Sequence, residues 1–385
     1  MAESRASAPP SAIPLDAPST IVQRTTVKLP RALLFVSFAL LVALPARASA
    51  QVLRGTLLAA EDNRVIRGAF VILVDTTGRE RAASLSDADG HFRIQAPEPG
   101  VYRLRWELVG RPIDQSERFS LKGGTETSIR IISFTRTQLL DTVTVSAASS
   151  CPANPDSERI AALWVEVTKV LRVSQWSVND DRLLFDVETI RRTWDDKHEK
   201  VEGETRTVHE GMVGRPFATM PPDFLSEYGY VVASGPEHHY YAPDEKSLLH
   251  DTFIGQHCLS LVPAPPGMNA LTGIAFTPAP DRYRPDISGT FWLDSDSLLL
   301  RAIDYRYSGS QQFTMHRSLG GRMEFDRVPS GEWYIARWSI TMPVVTLCRG
   351  SGLLGFLLPR TRPCLQNIVE VAGEVLDVRH RGQGH

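Results

Sequence analysis

The sequence predicts a mainly β protein in which an antiparallel β-sandwich precedes an α+β domain with a curved antiparallel sheet or half-barrel and one or two helices. Three observations lead to this prediction. Residues 51–146 contain short β-like runs at regular spacing between turn residues. The residues after Ser157 have the clearest helical periodicity of the chain, and from Leu183 onward β-like runs return as longer hairpins.

Residues 1–50 have the features of a secretory signal peptide. Lys28 and Arg31 form a basic flank, residues 32–44 are almost entirely apolar, and residues 48–50 match the small-residue cleavage pattern. The apolar run is shorter than the roughly eighteen residues of a membrane-spanning helix. We therefore expect an exported protein without a transmembrane segment in the mature chain. It would lie in the periplasm, at the periphery of the outer membrane or outside the cell.

The chain is long enough for two folded domains. Of its 385 residues, roughly 335 follow the predicted signal peptide, which exceeds what one hydrophobic core usually holds. We expect a sandwich domain at 51–146, a linker that begins with small residues at 147–156 and a β-rich domain at 157–385.

The charge of the chain excludes two kinds of partner. The 42 basic and 44 acidic residues give a net charge of −2, and removal of residues 1–50 makes it about −5. A mildly acidic chain without a basic run lacks the positive surface that nucleic acids and anionic lipid surfaces attract. We therefore expect no nucleic-acid partner.

Four cysteines indicate two disulfide bonds in an exported protein, although the sequence alone allows three pairings. We favour Cys348 with Cys364, because the segment between them is rich in glycine and proline and is typical of a short loop. The remaining pair, Cys151 with Cys258, would tie the start of the second domain to its middle.

The sandwich prediction rests on seven short runs and the turns between them. Thr77-Gly78 and Asp89-Gly90 tolerate the positive φ of tight turns, and Pro99-Gly100 turns the chain into the next run. No segment of this region has a ten-residue helical period. The predicted strands are residues 52–58, 69–74, 82–86, 91–94, 101–107, 118–121 and 128–132.

The motifs of this region resemble a known family. Residues 86–94 contain D-x-D-G-x-F and residues 99–104 contain P-G-x-Y, with Gly55 opening a strand before them and Gly110 after them. Together they look like the carboxypeptidase regulatory-like domain, which implies a transthyretin-like sandwich of seven strands. Members of this family accompany peptidases and outer-membrane receptors without being catalytic, and related sandwiches bind carbohydrate. The resemblance therefore implies a binding module.

The second domain begins with a helix and continues with long hairpins around residues 294–297 and 329–331. Residues 289–294, 320–325 and 331–333 look like the poorly characterised C-terminal region of some bacterial exported proteins. In outline the domain is also similar to the lipoprotein-carrier type of half-barrel. The apolar face of the helix is formed by Ile160, Leu163, Trp164, Val167, Val170 and Leu171.

Two groups of side chains contain metal-binding atoms without the spacing of a metal site. Asp87 and Asp89 lack the further oxygen donors and the bidentate glutamate that complete a calcium loop. Four histidines near Cys258 match neither H-E-x-x-H nor a paired Cys-x-x-Cys site. We expect no metal and no cofactor. The histidines are His238, His239, His250 and His257.

No catalytic motif emerges from the sequence. Residues 350–355 match G-x-G-x-x-G, but Pro359 would break the helix that a dinucleotide site requires after it. The chain has no G-x-S-x-G elbow, and isolated Ser, His and Asp residues are too common to define a triad. We therefore expect a protein that is not an enzyme.

Five aromatic residues of the second domain have two interpretations. They would form a stacking platform for a sugar or peptide, or they would fill the core, which is the commoner role of Trp and Tyr on alternating strands. They are Tyr240, Tyr241, Trp292, Trp333 and Trp338.

The functional hypothesis is an exported, non-catalytic binding or assembly protein of the bacterial cell envelope, with an envelope protein, a peptide or a glycan as its partner. Two alternatives remain open. One is a carbohydrate-binding sandwich protein, and the other is an accessory of a peptidase or a glycan hydrolase. Two carboxyl groups about 5 to 10 Å apart in a deep pocket would favour the hydrolase.

Overall fold

The computed structural model is mainly β, as predicted, and the residues it describes belong to one compact unit. The predicted signal peptide, the glycine pattern at 350–355 and part of the predicted linker lie outside the described residues. The described residues are 51–133, 150–179, 183–234, 237–268, 270–309, 319–349 and 361–381.

The N-terminal region is a sandwich of two sheets. The first sandwich sheet has the strand order β4-β1-β8, and the second has the order β3-β2-β5-β6, with β7 also paired to β5. All seven predicted strands are present, and the short β6 is additional. The strands are β1 (Gln51–Ala59), β2 (Phe70–Asp75), β3 (Glu80–Leu85), β4 (His91–Ala96), β5 (Gly100–Glu107), β6 (Asp114–Gln115), β7 (Phe119–Leu121) and β8 (Glu126–Ser133).

One strand pair departs from the predicted antiparallel arrangement. β1 and β8 run parallel, with Leu53 opposite Thr127, whereas the other strand pairs described in the sandwich are antiparallel as predicted. These are the first and last strands of the sandwich. A parallel pair needs a long connection between its strands, and the other six strands provide it.

Strand β2 of the second sandwich sheet is buried on both faces. Val71 and Leu73 face the core between the two sandwich sheets, whereas Phe70, Ile72 and Val74 belong to the core of the second domain. This double burial explains why β2 is a continuous apolar run rather than an alternating one.

Helix α1 (Ser157–Asn179) lies between the sandwich and the second domain. Its apolar face is the predicted one, and burial continues beyond Leu171 to Val178. Trp164 packs edge-on against Phe291 of the large sheet, with ring centroids 5.3 Å apart. The helix thus fills the space between two β layers.

The second domain is built on a large antiparallel sheet of nine strands in the order β10-β9-β19-β18-β17-β16-β15-β14-β13. Both predicted hairpins are present, as β15–β16 and β17–β18. The strands are β9 (Leu183–Trp194), β10 (Val201–Val213), β13 (His257–Val262), β14 (Leu271–Pro278), β15 (Asp286–Asp294), β16 (Leu300–Ser308), β17 (Gly320–Arg327), β18 (Trp333–Arg349) and β19 (Thr361–His380).

Three short helices and a two-stranded hairpin were not predicted. They are α2 (Pro222–Tyr228), α3 (Glu245–Leu249), α4 (Asp251–Gly255), and β11 (Val231–Ser234) paired with β12 (Glu237–Tyr240). Each of these helices has at most seven residues, too few to show a helical period. A local signal does exist for α3, where Asp244 and Ser247 form a capping box. Within the described residues, no helix is long and apolar enough to cross a membrane.

Both disulfides have the favoured pairing. Cys151 bonds to Cys258 with the Cα atoms 5.5 Å apart, which attaches the segment before α1 to β13. Cys348 bonds to Cys364 with the Cα atoms 5.8 Å apart. Both cysteines lie on the paired strands β18 and β19, and most of the segment between them, which was predicted as a loop, lies outside the described residues.

Candidate ligand-binding cleft

A cleft of about 690 Å³ lies where β3 and β4 of the sandwich meet the C-terminal half of α1. Its size falls within the range of roughly 300–1,000 Å³ that is common for small-molecule sites. The lining combines three guanidinium groups, three amides and two aromatic rings. The lining residues are Phe70, Glu80, Arg81, Ala82, Ala83, Arg93, Gln95, Arg172, Gln175, Trp176 and Asn179.

The helical wall of the cleft is a single stripe of α1. Gln175 and Trp176 lie three and four residues after Arg172, and Asn179 lies four and three residues after them, so the four side chains share one face of the helix. This stripe lies beside the apolar face that packs into the core. The helix therefore presents an apolar surface to the core and a polar one to the cleft.

Ion pairs attach this wall to the sandwich. The Arg172 guanidinium donates to the Glu107 carboxylate at 2.9 Å and also pairs with Glu80, which Arg105 binds as well. Partial burial alone would raise the pKa of Glu80, but the positive charges of Arg172 and Arg105 outweigh it and lower the pKa below its usual value. Glu80 therefore stays ionised at neutral pH.

An aromatic pair forms the floor beside these charges. The rings of Phe70 and Trp176 lie 5.6 Å apart at a tilt of 59°, and the Arg172 guanidinium lies 6.0 Å from the centroid of the Phe70 ring. Phe70 is buried, whereas Trp176 is only partly buried. Aromatic and guanidinium planes of this kind suit ligands that have both an apolar face and polar edges.

The sandwich side of the cleft holds two arginines in different states. Arg81 is paired with Glu98 at 2.7 Å and lies 3.9 Å from Asp75. The exposed side chain of Arg93 has no hydrogen-bonding or ion-pair partner among the described residues. Gln95 follows Arg93 by two residues on β4, so both side chains project from the same face of the strand.

A second set of polar contacts holds α1 against the sandwich, outside the cleft. The Lys169 ammonium group donates to the carbonyl oxygens of Leu108 and Arg111, at 3.2 and 2.6 Å. The Glu166 carboxylate accepts from the backbone N–H of Gly110 at 2.8 Å. These contacts hold the helix on the turn after β5, so both walls of the cleft are anchored.

The lining suits recognition better than acid–base chemistry. Among the described side chains that line the cleft, Glu80 is the only carboxylate, and two guanidinium groups hold it in its ionised form. Glycosidic hydrolysis usually needs a second carboxyl that is protonated. Guanidinium and amide groups instead supply hydrogen bonds to a bound ligand.

The histidines considered as metal ligands do not line the cleft, and two of them have structural contacts of their own. His257 is buried, with its Nδ1 atom 2.8 Å from the Phe253 carbonyl oxygen and its Nε2 atom 3.3 Å from an Asp286 carboxylate oxygen. The His250 side chain caps α4. His238 and His239 lie on β12.

One group of potential metal ligands does occur in the described part of the chain. Ligand atoms of Asp87, Asp89 and His91 lie within 4.8 Å of one another. All three side chains are exposed, and Asp87 accepts from the backbone N–H groups of Asp89 and His91. These bonds are those of a strand–turn–strand connection.

The five candidate aromatics do not line the cleft. Three are core residues: Trp292, Trp333 and Trp338 are 8%, 5% and 7% exposed. Tyr240 packs on the Tyr307 ring at 5.1 Å, and Tyr241 lies 5.8 Å from the Phe224 ring. The cleft has two aromatic residues of its own, Phe70 and Trp176. Sequence reasoning missed them as site residues because no pattern in the sequence places the stripe of α1 beside β4.

The sequence matches no known protein family and no curated protein. Solved structures match it at low similarity. The minor pilin GBS52 of Streptococcus agalactiae is 14% identical over 23% of this chain and 46% of the pilin, with a TM-score of 0.20, so this chain spans less than half of the pilin. A LolA superfamily protein of Nitrosomonas europaea is 12% identical over 56% of this chain and 95% of its own, with a TM-score of 0.21. A DUF1329 family protein of Desulfovibrio piger is 9% identical over 57% and 95%, with a TM-score of 0.24. TM-scores this low establish neither a common fold nor a common function.

Proposed function

We propose that this chain is an exported, non-catalytic binding protein of the bacterial cell envelope, and that it binds a glycan in the cleft between the sandwich and α1. The observation that supports this most directly is the lining of the cleft. Amide and guanidinium groups surround a partly buried tryptophan in a space large enough for a short saccharide.

The chemistry of the lining favours a sugar over an apolar ligand. Sugar hydroxyl groups both donate and accept hydrogen bonds, and the Gln95 and Gln175 amides can do the same. The apolar face of a sugar ring packs well on an aromatic side chain, and Trp176 supplies one. A lipid chain would cover the Arg93 guanidinium group without giving it a hydrogen-bonding partner, which costs free energy.

Export is supported by the disulfides. All four cysteines of the chain are paired, and disulfides persist in oxidising compartments but are rare in the cytosol. The predicted signal peptide also supports export.

The absence of catalysis is supported by the carboxylates near the cleft. Besides Glu80, the nearby Glu107 is only 3% exposed and is bound by both Arg105 and Arg172. Neither group is placed to donate a proton to a glycosidic oxygen. The hydrolase alternative would need such a donor.

A glycan array tests the proposal. The mature protein would be applied to bacterial envelope, capsular and plant saccharides, with Gln175→Ala as the test variant. Arg159→Ala is the matched control, since this exposed residue lies on the same helix about 24 Å away at a rise of 1.5 Å per residue. We expect at least one saccharide to bind the wild type and the control, and to bind Gln175→Ala at least tenfold more weakly. Failure to retain any saccharide would contradict the proposal, and equal binding by both variants would show that the ligand lies elsewhere.

A further inference from the structure

We infer that the cleft selects acidic saccharides and that Arg93 binds the carboxylate of an acidic sugar. The inference rests on the proposed function and adds the charge of the ligand to it. It depends on how the cations of the cleft are partnered within the protein.

The three arginines of the lining are not equivalent. Arg172 is shared between two carboxylates, and Arg81 is paired with Glu98. These two cations are therefore already compensated. Arg93 lines the same cleft with no such partner among the described residues.

Arg93 is the cation of the lining that the described residues leave uncompensated. Arg172 is matched by Glu80 and Glu107, and Arg81 is matched by Glu98, so the positive charge that remains belongs to Arg93. A concave surface concentrates the field of its charges, so an unpaired guanidinium group attracts anions even on a chain with a net charge of −2.

The geometry of β4 suits a carboxylate on a sugar ring. The guanidinium plane offers two parallel N–H donors that match both oxygens of a carboxylate. Gln95 projects from the same face of β4, about 7 Å along the strand, which is close to the width of a sugar ring. Arg93 would bind the carboxylate while Gln95 bonds to a hydroxyl group of the same or the next sugar.

The inference is tested with matched pairs of saccharides that differ only in charge. Fragments of oligogalacturonate, alginate and hyaluronan would each be compared with their carboxyl-reduced counterparts by isothermal titration calorimetry of the mature protein. We expect an acidic fragment to bind at least tenfold more tightly than its reduced counterpart. Its affinity should fall as salt is added, because a partly exposed ion pair is screened.

Two variants assign the selectivity to Arg93. Arg93→Gln should remove most of the preference for the acidic member and most of the salt dependence. Arg130→Gln is the matched control, because Arg130 is also exposed on the first sandwich sheet but does not line the cleft. We expect this control to keep the preference.

The outcomes separate the inference from the proposed function. Equal or tighter binding of the reduced saccharides, or no binding of any acidic fragment, would overturn the inference. Retained selectivity in Arg93→Gln would overturn it too. Binding of neutral glycans on the array, with loss in Gln175→Ala, would still uphold the proposed function.

Discussion

Lys169 and Glu166 form an ion pair 2.7 Å long on the face of α1 that contacts the sandwich, where the two side chains are 3% and 11% exposed. The remaining hydrogen-bonding atoms of both groups bind backbone atoms of the turn after β5. A charge this deeply buried is tolerated only when it is fully paired. The pair therefore orients α1 on the sandwich and supports the helical wall of the cleft.

Removing one partner of this pair should be costly. We expect Lys169→Met to lower the free energy of unfolding by about 3–5 kcal/mol, because it leaves the Glu166 carboxylate buried without its cation. Urea unfolding of the protein measures the change. Lys246→Met is the control, since Lys246 is exposed, and it should change stability by less than about 0.5 kcal/mol. Equal losses of stability in the two variants would show that the ion pair stabilises the fold no more than an exposed lysine does.

Glu245 makes stability depend on pH. Its side chain is buried, and this burial raises the pKa of the carboxyl above 4.5, although Ser174 donates a hydrogen bond to it. Well below pH 4.5 the group is protonated in the folded and the unfolded chain, so its contribution is complete there. As the pH rises, the unfolded chain ionises first, and stability is lost until the pH passes the folded pKa.

We expect Glu245→Gln to lack this loss and therefore to be more stable than the wild type near pH 8. Urea unfolding between pH 4.5 and pH 8 measures the difference. The exposed Glu158, replaced by Gln, should give a curve parallel to that of the wild type. A wild-type curve that rises with pH relative to Glu245→Gln would reverse the sign and refute the prediction.

The two disulfides should differ in their effect on stability. Cys151 and Cys258 are 107 residues apart, whereas Cys348 and Cys364 are 16 apart. In the chain-entropy model, loops of these sizes contribute about 4.7 and about 3 kcal/mol. We expect the double serine variant of the first pair to have the lower melting temperature in calorimetry. The reverse order would show that chain entropy does not dominate.

Gly331 and Gly68 form a close contact between the turn after β17 and the sandwich. A Cβ atom on Gly331 would lie 2.8 Å from the Gly68 Cα atom, and Gly331 has a φ of +109°. We expect Gly331→Ala to cost about 1–3 kcal/mol beyond the strain of positive φ, because backbone must move. Gly78→Ala isolates that strain, since Gly78 has a φ of +86° with no atom within 4 Å of its added Cβ. Thermal unfolding would compare the two, and equal losses would exclude a packing cost.

The sequence by itself determined the local elements and the surfaces that they bury. Polar and apolar residues alternate along β4, and apolar residues recur at helical spacing from Ile160 onward. These patterns indicate which side of each element is buried, because in a regular element the side that faces the core returns at a fixed interval. Turn residues and the spacing of the cysteines likewise led to the hairpins and to the favoured disulfide pairs.

Only the tertiary structure decided how distant elements meet. Nothing local to β1 indicates that its neighbour is β8 in parallel, and the apolar run of β2 does not say what covers its outer face. The cleft likewise depends on tertiary structure, since the docking of α1 on the sandwich brings Arg93 and Gln175 together. Periodicity reports whether a surface is buried, whereas the identity of its neighbour depends on packing between segments far apart in the chain.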